Sequence, residues 1–248
     1  MRFHMNGGSD DNEIVAATGS EGAAHIRKFV FSSNERSVNE RLEIKIPEIL
    51  QGAYSFYTWP SAPILAHFLW ERRQSLVCKR ILELGAGTAL PGIVAAKCGA
   101  QVVLSDSCIL PKSLAHIRKS CVANQLQPGV DIDVVGLSWG LLNSVFRLPP
   151  LDLIIAADCF YDPTVFEDII VTIAFLLERN RGAKFIFTYQ ERSADWSIEA
   201  LLKKWKLHAA SINMDEIGKE SGIDLLEFMG GHTIHMLEIT LVDQLVQT

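Results

Sequence analysis

The sequence predicts an α/β fold built on one mainly parallel sheet with helices on both faces. Three observations carry this expectation. The stretch ILELGAGTALPG over 81–92 joins a short apolar strand to a helix through a turn of small residues. The stretch LDLIIAA over 151–157 is apolar almost throughout, as suits a parallel strand covered on both faces. From 79 to 205, strand-like and helix-like stretches alternate, and each crossover is long enough to hold a helix.

Residues 1–24 are rich in Gly, Ser, Asp and Asn, which predicts a disordered tail ahead of a single domain over 25–248. Over 25–49 apolar residues alternate at Phe29 and Phe31, then at Leu42, Ile44 and Ile46. That pattern predicts two short strands or a hairpin flanking the main sheet, the second ended by Pro47. Pro60 biases Trp59 toward extended backbone. Thr58 or Ser61 is placed to cap a helix over 62–73, where Ile64, Leu65, Phe68 and Leu69 keep helical spacing. A strand over 79–84 enters the glycine turn. The helix after it, 91–98, tolerates Pro91 in its first turn and is closed by Gly99. A strand over 101–105, a helix over 111–124 and a strand over 131–137 follow. Then come a strand over 151–157, a helix over 165–178 beyond Pro163, and a strand over 183–189. Asp195 is placed to cap a helix over 196–205. Two further strands, 207–213 and 233–241, enclose a polar loop holding Gly218, Gly222, Gly230 and Gly231.

Glycine is needed where the backbone takes a positive φ or must touch a ligand. A strand, a glycine turn and a helix N-terminus form a nucleotide-binding corner in an open α/β sheet. Asp106, about 20 residues past the turn and ending the next strand, is placed to hold a pair of ribose hydroxyls. The spacing Gly85-x-Gly87-x-x-x-x-Gly92 departs from the G-x-G-x-x-G of dinucleotide sites. No Tyr-x-x-x-Lys proton relay accompanies it, which counts against a nicotinamide-dependent oxidoreductase. Asp158 stands directly after the 151–157 strand, at the carboxyl end where ligands bind in such sheets.

A formal net charge of −6 argues against a broad non-specific grip on nucleic acid and is compatible with a basic protein partner. The five cysteines are odd in number and include no C-x-x-C pair, which reads as reduced thiols in an intracellular protein. The seven histidines include no H-x-x-x-H pair, and no metal site is expected. No apolar run approaches the roughly 20 residues of a membrane span, so no membrane contact is expected and the cytoplasm or nucleus is the expected location. Lys203-Lys204 is too short to read as a nuclear import signal.

The motif order is W-P at 59–60, E-L-G-A-G-T-x-L-P-G at 83–92, L-S-D at 104–106 and L-x-W-G at 137–140. A-A-D-C-F-Y-D at 156–162 and T-Y-Q-x-R-S-A-D-W-S at 188–197 complete it. In combination these resemble the seven-β-strand S-adenosylmethionine-dependent methyltransferases, and among them the family-16-type group, over Tyr54 to the C-terminus. The resemblance implies a Rossmann-like sheet of seven strands with an antiparallel last strand. It also implies S-adenosylmethionine as cofactor and a protein as substrate. Glu83, an acid before the first glycine, would serve a cationic ligand. With Gly85 and Gly87 it is assigned to the methionine portion and the turn. Asp106 is assigned to the ribose, Trp139 to the adenine, Trp59 to the methionine end, and Ala157 to backbone contact near the methyl. Asp158 and Tyr161 fill the group's acid-x-x-aromatic pattern and are the candidate catalytic residues, with Asp162 in reserve. Tyr189 and Arg192 are candidates for the substrate mouth. No loop bearing two spaced glutamates, the guanidinium grip of other arginine methyltransferases, follows the 151–157 strand. The implied activity is methylation of histone H3 arginine. The alternative is lysine of a non-histone protein. A further alternative is a non-catalytic module that binds a chaperone or transcription factor.

Overall fold

A computed structural model describes residues 25–33, 40–49, 54–193, 196–219 and 222–242. The tail expected over 1–24 and the cap expected from Asp195 lie outside the described residues. The strands β1 (His25–Ser32) and β2 (Arg41–Glu48) form a two-stranded antiparallel sheet of their own, with Phe29 opposite Ile44. Pro47 lies inside β2, opposite Ile26, and does not end it. A proline is tolerated on such an edge, where its missing N–H breaks no ladder bond.

The rest of the chain runs α1 (Ser61–Glu71), α2 (Arg73–Leu76), β3 (Arg80–Glu83), α3 (Leu90–Lys97), β4 (Gln101–Asp106), α4 (Pro111–Ala123) and β5 (Asp133–Gly136). It continues through β6 (Leu153–Ala157), α5 (Phe166–Arg179), β7 (Lys184–Gln190), α6 (Glu199–Lys204), β8 (Leu207–Ser211), α7 (Leu226–Met229) and β9 (Ile234–Leu241). The last seven strands form one sheet in the order β5-β4-β3-β6-β7-β9-β8. The pairs from β5 to β7 are parallel, and β9 runs antiparallel to both its neighbours. The expected seven-stranded Rossmann-like sheet with an antiparallel last strand is what the chain forms.

The alternation of side chains along each strand divides the core. Ile81 and Leu104 join α1, α3 and α4 on one face, and the β1–β2 hairpin packs outside those helices. Leu82, Val103 and Phe185 join α5 and α6 on the other face. The hairpin therefore covers helices and leaves the sheet edge alone. It is fastened to α4 by Asn124, whose Oδ1 accepts from the Lys45 N–H at 2.8 Å and whose Nδ2 donates to the Lys45 carbonyl at 2.7 Å.

The cap expected on α1 is replaced by another contact. Pro60 occupies the N-cap of α1, with no side-chain cap bond, while the Thr58 hydroxyl pairs with that of Thr88 at 3.0 Å. The helix expected from 196 begins at Glu199, whose N–H is bonded to the Ser197 hydroxyl. Among the described residues, no helix is long and apolar enough to cross a membrane.

Candidate active site

A cavity of about 670 Å³ opens beside the carboxyl ends of β3 and β6, where the strand order reverses. Ligands bind at such switch points, and the volume falls within the roughly 300–1,000 Å³ of small-molecule sites. Of the nine residues expected at a site, eight line this cavity: Trp59, Gly85, Gly87, Asp106, Trp139, Ala157, Asp158 and Tyr161.

The turn after β3 takes positive φ at Gly85 (61°) and Gly87 (54°). Asp106, at the end of β4, ties this turn to its own loop. Its Oδ2 accepts from the Gly87 N–H at 3.1 Å and its Oδ1 from the Ser107 N–H at 2.7 Å. Burial pushes the Asp106 carboxyl up, against the pull of those two bonds. Asp106 lines the cavity, and a carboxylate has acceptor capacity beyond these two bonds for hydroxyl donors. The Trp139 indole packs on Gly85, so any side chain there would meet it. Ser138 accepts from the Cys108 N–H and lies 3.2 Å from the Ser107 hydroxyl, which joins the loops after β4 and β5.

Glu83 is placed differently from the expectation of direct ligand contact. It is not among the cavity-lining residues, and its Oε2 accepts from the Gly92 N–H of α3 at 3.0 Å. Burial pushes its carboxyl up to about 8, the Gly92 bond opposing and nearby Asp106 adding to the rise. Its geometry is that of a brace between β3 and α3.

Asp158 follows β6 with φ at +61°, a conformation costly for a residue bearing a Cβ. Its side chain is 3% exposed. Oδ1 accepts from the Gln190 N–H at 3.1 Å and from the Arg192 Nη1 at 2.9 Å, and Oδ2 accepts from the Arg192 Nη2 at 2.6 Å. Arg192 therefore lines the cavity mouth and is bound there by a two-pronged ion pair. Its guanidinium lies 5.8 Å from the Trp59 ring centre, and the Trp59 N–H donates to the Tyr54 carbonyl. Tyr161 stands half-exposed on the cavity wall, 6.5 Å from Trp139 between ring centres. Burial, then Asp106 and Asp162, raise its phenol, so it keeps its proton at neutral pH. Asp162 instead holds the Thr164 N–H and hydroxyl as the cap of a short turn. Tyr189 stacks on His235 and is not among the cavity-lining residues.

Sequence reasoning missed several lining residues. Tyr54 and Tyr57 pack against Trp59, stacked and edge-on, and the spacing of aromatics in YSFYTW was the available signal. Asp168, from the first turn of α5, also reaches the cavity, and no local pattern announces it.

The charges sort the ligands this cavity suits. Among the described lining residues the acids are Asp106, Asp158 and Asp168, and the one cation, Arg192, is already paired. Such a wall disfavours a pyrophosphate and suits a cation with a ribose and a flat base. An acid for the diol, an indole for the base and an open glycine turn are all present. The residues thus fit S-adenosylmethionine. Among the described residues, no group of three or more potential metal ligands is found.

Comparison with known proteins bears on the same region. A family model described as lysine methyltransferase matches residues 38–202. The chain is 44% identical over 217 residues to the histone-arginine methyltransferase METTL23 of Xenopus laevis, covering 87% of this chain and 92% of that protein. It is 48% identical over 187 residues to the protein of that name from Homo sapiens, covering 74% and 96%. A protein-lysine methyltransferase of Bos taurus, METTL21E, is 32% identical over 168 residues, covering 65% and 54%. Among solved structures, the METTL16 methyltransferase domain superposes with a TM-score of 0.53 at 11% identity, covering 80% of this chain and 73% of that one, which bears on the fold alone. With its glycine turn, its Asp106 and its Asp158–Tyr161 wall set at the switch point of such a sheet, the chain belongs to the lysine methyltransferase family of S-adenosylmethionine-dependent enzymes.

Proposed function

We propose that this enzyme methylates an arginine side chain of a protein, with histone H3 as the first candidate substrate. The observation that carries the proposal is the mouth of the cavity. There a buried carboxylate, Asp158, already holds a guanidinium in two-pronged geometry. The relatives whose names specify histone arginine support the same reading.

Bound in the cavity, S-adenosylmethionine supplies an electrophilic methyl on a good leaving group. Positioning then accounts for much of the rate. Asp106 and the Gly85–Gly87 turn hold one end of the ligand, and Trp139 offers its face to the base. Asp158 binds the cationic side chain and aims its nitrogen into the cavity. Asp158 would also be the nearest carboxylate able to take the proton that the acceptor nitrogen must lose. Tyr161, a neutral phenol, is placed to accept a hydrogen bond from the acceptor nitrogen and to wall the channel.

The family description and the bovine relative make lysine the alternative acceptor. A net charge of −6 supports a basic protein partner and gives no footing for nucleic acid. A chaperone or transcription-factor partner, and work in both cytoplasm and nucleus, belong to the same proposal. The test is transfer of labelled methyl into core histones and cell extract, with mass spectrometry of the labelled residue. Wild type is compared with Asp106→Ala and Asp158→Ala. Label on histone arginine, lost in both variants, is the expected outcome. Label confined to lysine of another protein overturns the arginine assignment.

A further inference from the structure

We propose that Arg192 is a built-in occupant of the acceptor subsite, a guanidinium parked on Asp158 that an incoming arginine side chain must displace. The proposal rests on the reading that Asp158 receives the acceptor nitrogen.

The two partners are anchored unequally. Asp158 is almost fully buried and pinned between strands. Its own N–H donates to the Thr188 carbonyl at 2.7 Å, and its Oδ1 also accepts from the Gln190 N–H. Arg192 sits on an irregular stretch beyond β7, and its side chain is 22% exposed. Among the described residues it also donates a 3.3 Å bond to the Gln190 carbonyl, lies 5.8 Å from the Trp59 ring centre and interacts electrostatically with Tyr161. The carboxylate is thus fixed, while the guanidinium has a route into solvent along a flexible side chain.

Charge and geometry give the arrangement a consequence. A buried carboxylate stripped of its counter-charge is costly, so Asp158 is stabilised by a cation while no substrate is present. A second guanidinium exchanges one two-pronged pair for an equal one, so the swap is nearly neutral. An ammonium is a point charge that cannot reproduce the planar fork, so it displaces Arg192 at a loss. Arg192 thereby acts as a stopper in the empty site, while the preference for arginine over lysine belongs to the fixed Asp158 carboxylate.

The experiment is titration of ethylguanidinium and ethylammonium into the full chain, using wild type, Arg192→Ala, Arg192→Gln and the Asp158→Asn/Arg192→Gln double variant. S-adenosylmethionine affinity is measured on each. The alanine and glutamine variants are expected to bind ethylguanidinium at least about tenfold more tightly than wild type. The gain should disappear in the double variant, and the preference for ethylguanidinium over ethylammonium should persist when Arg192 is absent, because the cost of displacing Arg192 is common to both ligands. The proposal is overturned if variants that retain wild-type cofactor affinity show no gain, or if the gain survives loss of the Asp158 charge. Unfolding of both single variants also overturns it, because Arg192 is then a structural counter-ion and no displaceable occupant. Methyl transfer to peptides is run in parallel. A gain in guanidinium binding without transfer to any arginine supports the subsite and counts against the arginine-methylating reading. Transfer to arginine at unchanged guanidinium affinity does the reverse.

Discussion

The indole of Trp139 lies so close to Gly85 that a β-carbon on the glycine would stand 3.0 Å from Cζ2. Gly85 also holds a φ of +61°, which costs other residues roughly 1–2 kcal/mol. Gly85→Ala is therefore expected to lower stability by about that amount and to push the indole off the cavity wall. Urea unfolding and calorimetric titration of S-adenosylmethionine read the two effects. A variant with wild-type cofactor affinity would show that the indole position is immaterial to binding.

Asp106 is expected to dominate cofactor affinity. A hydrogen bond to a charged group contributes about 1.5–3 kcal/mol, so Asp106→Ala should weaken S-adenosylmethionine binding roughly 10–100-fold. Loss of the bonds to Gly87 and Ser107 should add some disorder of the turn. Equal affinity in variant and wild type would remove Asp106 from the ligand-binding set.

Glu83 supplies a pH prediction. Its carboxyl rises from an ordinary 4.5 to about 8 in the fold, so between those values the folded chain holds a proton that the unfolded chain releases. Its contribution to stability is fully present below about 4.5 and is lost as pH rises toward 8. Glu83→Gln retains an acceptor for the Gly92 N–H and does not titrate. The variant should gain on wild type steadily as the buffer moves from pH 5.5 to pH 8, as measured by urea midpoints. Parallel curves for the two proteins would contradict the burial account.

Gly92 is helical, and in an open helix alanine would gain about 1 kcal/mol over glycine. Here a β-carbon would collide with the Leu104 side chain and the Glu83 carboxylate. Gly92→Ala should instead destabilise by about 1–3 kcal/mol, the usual range for overpacking. Thermal unfolding decides the sign, and a rise in Tm would refute it.

Much of the site is legible in the sequence because its chemistry is local. Gly85, Gly87 and Asp106 sit at chain-order spacings that the strand–turn–helix unit dictates, and Ala157 and Asp158 terminate a strand whose apolar run is unmistakable. What sequence reasoning cannot reach is contact between distant segments. The pairing of Asp158 with Arg192 spans 34 residues, and it emerges only when β6 and β7 lie side by side. The bond from Gly92 to Glu83 is out of reach for a similar reason. The position of Glu83 before the turn suggests a ligand partner, but strand alternation sends its carboxylate to the α3 side. The missing cap of α1 has the same origin, since Thr58 is engaged with Thr88, 30 residues on.

The Glu48 carboxylate, at the last residue of β2, is buried and accepts from the Thr58 N–H at 3.1 Å, and the Thr58 hydroxyl in turn meets Thr88 beside the glycine turn. A relay thus runs from the outlying hairpin, through the residue next to Trp59, to the floor of the ligand cavity. A chain shortened to begin at Tyr54 would lack the hairpin and keep every strand of the large sheet. It would also leave the Trp59 segment tethered at one end only, so a fragment that looks complete by its sheet should prove a poor receptor. The hairpin is better regarded as a splint for the binding site than as an ornament on the fold.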